Sequence, residues 1–316
     1  MADAPARNSA APTAARPVAA LLRAGRARHR EGRLAEAQAL YQQVLALDRA
    51  QPDALILLGL IHYERGRLAH ALARFDEAVA AAPARADAHN SRGLALLRLG
   101  RLDDAVAALR QALSLRPAYA EAQFNLGNAL RLKGEVAAAC AAYRAALAEN
   151  PDFVAAHNNL GSLLTETGEA AAAVPHLERV VALRPPTAET LNNLGAALLA
   201  AGRLEEAEAR LGEALALRPD FTPALVNLGR VRQALGRPEA AVESLEHAVR
   251  LKPDDGETRL LLGRLLCRLD RFEAAVDHLQ AASLARPRDA AAHYALGRAL
   301  EETLALTAAA RAFSRA

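Results

Sequence analysis

The sequence predicts an all-α solenoid of about nine helical hairpins, and three internal recurrences predict it. Glycine returns every 34 residues, at Gly25, Gly59, Gly93, Gly127, Gly161, Gly195, Gly229, Gly263 and Gly297. With each of these counted as position eight, position twenty is Ala in all nine units, from Ala37 to Ala309. Position twenty-four is always large and apolar, from Tyr41 and Phe75 to Leu279 and Phe313. A repeat of this length is one supersecondary unit that cannot bury its own apolar face, and stacked copies make a continuous core.

Residues 1–17, rich in Ala and Pro, read as a disordered leader. The units then begin at 18, 52, 86, 120, 154, 188, 222, 256 and 290, and the ninth stops at its twenty-seventh position. The fourth unit illustrates the hairpin. Leu126 and Leu130 weight one face of a first helix, and Gly134 follows as a stop that tolerates positive φ. Val136, Ala139, Tyr143, Ala146 and Leu147 continue at helical spacing through a second helix, which Pro151 is expected to end. Pro occupies position thirty-two in seven of the eight complete units, with Arg49 as the exception. The small residues at positions eight and twenty are expected to let the helix backbones approach, where a larger side chain would overpack at roughly 1–3 kcal/mol. Pro175 lies inside a second helix and predicts a bend or a shortened start there.

A small residue at eight, Ala at twenty, an aromatic residue or Leu at twenty-four and Pro at thirty-two resemble the tetratricopeptide repeat family over residues 18–316. Position four departs from the family's frequent large aromatic residue, as His89, His157, Arg259 and His293 show, and predicts weaker packing between units. The resemblance implies a right-handed superhelix whose first helices line a concave groove that binds peptides or partner proteins.

Composition narrows the function. Hydrophobic residues are 52% and aromatic residues 3%, with no Trp, as suits Ala-rich helices packed closely. The net charge of +3 is small and the arginines are scattered, which argues against nucleic-acid binding. Neither a signal-peptide core nor an 18-residue apolar run is present, so no membrane span and a cytoplasmic location are expected. The Ala and Arg content suggests a GC-rich bacterial source. Cys140 and Cys267 lie four units apart and predict free thiols rather than a disulfide. His89, His157 and His293 each stand alone in a unit and read as inter-repeat contacts rather than metal ligands. No nucleophile elbow, dinucleotide fingerprint or phosphate loop occurs, so the chain is expected to be noncatalytic, with no cofactor or metal.

One set of residues goes beyond scaffolding. Asn125, Asn159, Asn193 and Asn227 occupy position six of four consecutive units, each followed by Leu-Gly. At 100° per residue this position falls opposite buried positions four, seven, eight and eleven, which predicts a row of amides pointing off the core. An amide offers both a donor and an acceptor, so such a row can hold a peptide backbone without reading its side chains. With first helices about 10 Å apart and an extended chain rising about 3.3 Å per residue, one Asn would meet every third residue. The other reading of the row is a tolerated Asn at a solvated helix position. Asn90, Asn158 and Asn192 at position five and Asn128 at position nine extend the polar lining. Acidic residues recur at position two, including Asp53, Glu189 and Glu257, and arginines at position nine, as Arg26, Arg230, Arg264 and Arg298. The expected groove is therefore mixed in sign and more basic toward the C-terminus.

The expected function is a protein-interaction scaffold binding a peptide or partner in that groove. The Asn-x-Leu-Gly sequence is also similar to the superhelical repeats of O-linked N-acetylglucosamine transferases. That resemblance implies a second reading, the substrate-recruiting module of a larger glycosyltransferase. The sequence stops inside the second helix of the ninth unit, so its last apolar face is expected to meet a further domain, a partner or a second copy.

Overall fold

The computed structural model describes residues 15–304 and 306–316. All but the last three residues of the expected leader fall outside that range, and the first helix already begins at Ala15. Among the described residues the regular structure is entirely helical. The chain divides into two compact units, one ending at Ala156 and the other beginning at His157.

The first unit contains α1 (Ala15–Arg30), α2 (Leu34–Leu47), α3 (Pro52–Glu64), α4 (Leu68–Ala81), α5 (Ala86–Arg98), α6 (Leu102–Leu115), α7 (Ala120–Leu132) and α8 (Val136–Glu149). The boundary falls inside α9 (Val154–Glu166). The second unit continues with α10 (Ala170–Leu183), α11 (Ala188–Ala200), α12 (Leu204–Leu217), α13 (Thr222–Ala234) and α14 (Pro238–Leu251). It ends with α15 (Gly256–Arg268), α16 (Phe272–Ala285), α17 (Ala290–Glu302) and α18 (Leu306–Phe313). Odd-numbered helices are first helices and even-numbered ones second helices. Within each unit a first helix packs on the second helix of its own hairpin, and that second helix packs on the next first helix, as in α3, α4 and α5 or α11, α12 and α13.

The recurrent glycine is explained by a side chain rather than by a backbone. A Cβ added at Gly195 would lie 2.6 Å from Leu211 Cγ, and one added at Gly59 would lie 2.5 Å from Phe75 Cε1. Position eight is thus the seat of the position-twenty-four side chain, and Ala at twenty approaches it more distantly, with Ala105 O at 3.4 Å from the corresponding point on Gly93. Tyr41, Phe75, Leu109, Tyr143 and Leu211 are all fully buried in these seats. Close packing of this kind leaves no room for an extra methyl group.

First helices stop at a left-handed residue. Gly134 has φ +79°, and its neighbour Glu135 donates its backbone N–H to Leu130 O at 2.9 Å, which closes the helix end. At the same place in the last two hairpins, Asp270 and Leu304 adopt φ of 56° and 60° without glycine's freedom.

Second helices stop without needing proline. Arg116, just before Pro117, has φ −141°, and Asp48, which precedes Arg49, has φ −142°. The same extended residue thus forms with or without the ring. Pro175 neither shortens nor interrupts its helix: α10 has 14 residues, as α8 and α12 do. Its exposed position leaves the lost backbone bond on the solvent side.

Polar residues at position four have a defined structural use. His89 Nε2 bonds Pro83 O at 2.8 Å and His293 Nε2 bonds Pro287 O at 3.0 Å. Arg259 donates from Nε to Pro253 O. These side chains satisfy the proline carbonyl at three repeat junctions, so those junctions are hydrogen-bonded where the sequence suggested only weakened packing. His157 is not alone in its hairpin, because His176 lies across it with Nδ1 to Nδ1 at 2.9 Å.

Candidate functional site

First helices touch their successors directly. α3 meets α5 and α5 meets α7 in the first unit, and α11 meets α13 and α15 meets α17 in the second. The asparagines sit along these seams. Asn125 Nδ2 donates to Asn90 Oδ1 at 3.0 Å, Asn193 Nδ2 to Asn158 Oδ1 at 3.2 Å, and Asn227 Nδ2 to Asn192 Oδ1 at 2.9 Å. Each bond runs from position six of one hairpin to position five of the hairpin before it.

These pairs modify the expected row of outward amides. Asn125 is buried, while Asn159, Asn193 and Asn227 are half-buried. The cause is the close approach of neighbouring first helices, which makes positions five and six facing walls of one seam. The signal was available in the sequence as a 35-residue spacing between amides, at 90 and 125, 158 and 193, and 192 and 227. Position 124, which the same spacing assigns to Asn159, is Phe. Asn90 also reaches the Tyr119 hydroxyl at 3.4 Å. Asn128 Oδ1 accepts from the Tyr143 hydroxyl at 2.8 Å, inside its own hairpin.

The arginines expected in the lining mark the C-terminal part of the seam. Arg230 pairs with Glu257 at 3.0 Å, which joins α13 to α15. A cavity of 260 Å³ opens between these helices, lined by Asn227, Arg230, Asp255, Glu257 and Leu261 among others. Beside it a groove of 930 Å³ runs over α13, α15 and α17. Arg264 lies there with Leu260, Leu261, Tyr294 and Ala295. The Tyr294 hydroxyl lies beside the Arg298 guanidinium and raises its pKa. Burial pushes the Cys267 thiol up, away from the reactive thiolate.

Matches to tetratricopeptide repeat families run almost end to end. Descriptions reading "Tetratricopeptide repeat" match residues 56–113 and 90–152, 152–220, and 198–246 and 232–299, and one reading "TPR repeat" matches residues 25–66. The chain belongs to the tetratricopeptide repeat family. No curated protein sequence matches it.

Solved tetratricopeptide structures share its fold. A chain of the APC/C hetero-tetramer Cut9-Hcn1 has a TM-score of 0.61 at 20% identity, over 84% of this chain and 52% of that one. This chain therefore spans about half the length of that relative. YrrB, described as a TPR protein with an unusual peptide-binding site, has a TM-score of 0.54 at 24% identity, covering 58% of this chain and 95% of its own. MamA from Desulfovibrio magneticus RS-1 has a TM-score of 0.51 at 23% identity, covering 54% of this chain and 96% of its own.

Among the described residues no group of three His, Cys, Asp or Glu side chains is placed to hold a metal ion. Neither Cys140 nor Cys267 forms a disulfide. No described helix is long and apolar enough to cross a membrane.

Proposed function

We propose that this chain is a noncatalytic protein-interaction scaffold that holds an extended peptide, or such a segment of a partner protein, along its first helices. The observation that carries this reading is the groove over α13, α15 and α17, whose 930 Å³ is of the size that binding clefts reach and whose lining mixes apolar floor with polar groups. YrrB, of the same fold, is described with a peptide-binding site, which is in keeping with a peptide ligand.

The amide pairs supply a polar track beside that groove. Each pair uses one N–H of the donor Asn and one lone pair of the acceptor, so the amide chemistry a backbone needs is not exhausted. Pairing also fixes the amides in place, which lowers the ordering cost when a ligand binds. In this reading Asn159, Asn193 and Asn227, with Asn158 and Asn192, form the track in the second unit, while Arg230 and Arg264 flank its basic end. Asn125 and Asn90 make the corresponding stretch in the first unit.

A peptide-display selection on the intact chain tests it. Wild type is expected to enrich a family of extended sequences, and Asn193→Ala with Asn227→Ala is expected to weaken their binding by about tenfold or more. Retained helicity, and a thermal midpoint that stays well above the assay temperature despite the lost amide bonds, tie that loss to the track. Selection that enriches nothing, or binding indifferent to these substitutions and to Leu261→Arg in the groove, overturns the reading.

A further inference from the structure

The groove over α13, α15 and α17 has an imbalance of charge that follows from one missing carboxylate. A rule links the arginine at position nine of one hairpin to the acid at position two of the next, 27 residues on. Arg26 pairs with Asp53 at 3.3 Å and Arg230 pairs with Glu257 at 3.0 Å by this rule. Arg264 is the next arginine in the series, and its partner position is Ala291. Both residues line the groove.

The remaining charges do not fill the gap. Five arginines line the groove, Arg230, Arg264, Arg268, Arg286 and Arg298, against two carboxylates, Glu257 and Asp289. Glu257 is taken by Arg230, and Asp289 lies 3.2 Å from Arg286 while its Oδ1 also caps α17 by accepting from Ala291 N at 3.0 Å. Arg298 reaches Glu301 only at 3.8 Å. Arg264 and Arg268 face the groove with no carboxylate of this chain within 4 Å among the described residues. Half-exposed Tyr294 and the leucines Leu260 and Leu261 supply apolar surface beside them.

We propose that this groove binds an acidic peptide segment, with a side-chain carboxylate of the ligand standing between Arg264 and Ala291 where the repeat rule would place the protein's own acid. An adjacent apolar ligand residue packs on Leu261 and Tyr294. The inference rests on the groove reading above and adds to it the sign of the ligand. Charge complementarity carries it: the groove retains cations after every internal acid is paired, and a concave wall concentrates their field.

The test uses the intact chain and two fluorescein-labelled peptides, both N-acetylated and C-amidated so that only side chains differ. One alternates Glu with Leu, Gly and Ser, and the other carries Gln at each Glu. The acidic peptide is expected to bind about tenfold or more tightly than the Gln peptide, with affinity falling as salt rises. Ala291→Glu supplies the missing partner, so it is expected to bring the acidic peptide down to the affinity of the Gln peptide while the thermal midpoint holds or rises. Ala291→Gln, of the same size and neutral, is expected to cost about tenfold less than the Glu substitution does. Equal affinity for the two peptides overturns the acidic preference and leaves the groove reading standing. Acidic binding that survives Ala291→Glu overturns the proposed position, and failure of both peptides overturns this inference while the display selection decides the groove itself.

Discussion

Asn193 donates its side-chain N–H to Asn158 Oδ1 at 3.2 Å, across a seam between two first helices. The bond ties hairpin to hairpin, so it belongs to stacking and not to either helix alone. A double-mutant cycle measures it. Asn193→Ala and Asn158→Ala are each expected to cost about 0.5–1.5 kcal/mol, with a coupling of about 0.5–1 kcal/mol between them. Additive losses in urea unfolding would mean that the two amides do not interact in solution.

Two tyrosines at the same repeat position should respond oppositely to loss of the hydroxyl. Tyr143 donates to Asn128 Oδ1 at 2.8 Å, whereas the buried Tyr41 hydroxyl has no hydrogen-bond partner. Tyr143→Phe is expected to lower stability by about 1 kcal/mol, and Tyr41→Phe to leave it unchanged or raise it by about 1 kcal/mol. The sign difference is read from chemical unfolding midpoints.

Two glycines offer a similar contrast. Added at Gly195, a Cβ would lie 2.6 Å from Leu211 Cγ, while at Gly212, exposed on α12, it meets nothing within 4 Å. Gly212→Ala is expected to stabilise by about 1 kcal/mol through helix propensity. Gly195→Ala gains the same term but overpacks a filled seat, for a net loss of about 1–2 kcal/mol. Shortening the opposing side chain with Leu211→Ala should absorb part of that loss, so the double variant falls short of the summed single costs.

Burial holds the His278 imidazole below the usual histidine pKa, and Arg259, whose guanidinium lies 3.3 Å from Nδ1, lowers it further against the opposing pull of Glu246 and Asp277. The folded chain therefore resists protonation that the unfolded chain accepts. Stability from this site is complete above the ordinary histidine range and falls as pH drops through it. The wild-type urea midpoint is expected to fall more between pH 8 and pH 5.5 than that of His278→Gln. Some slope will remain in the variant, because burial also lowers the pKa of His62.

The fold was legible to the residue in several places. Gly134 marks a left-handed helix stop at φ +79°, and the 34-residue ruler places every hairpin. The seat at Gly195 was legible as smallness but not as a contact, because sequence alone does not say that Leu211, rather than Ala207, fills it. Asn125 is the larger departure. A helical wheel treats a helix as having one buried face, whereas a first helix in a stack meets its own partner and its neighbours, which turns part of the supposed outer face into the seam.

What the sequence by itself determined is the period and order of the helices and the glycine stops of the first helices, since these are local properties of the chain. What only the tertiary structure decided is which residues face one another across hairpins: Asn193 with Asn158, Arg230 with Glu257, and Arg264 and Ala291 on one groove. The physical reason is that the rotation between stacked hairpins is set by the collective packing of side chains at every junction. No single repeat carries that angle, and a one-position change in it would exchange every partner along the seam.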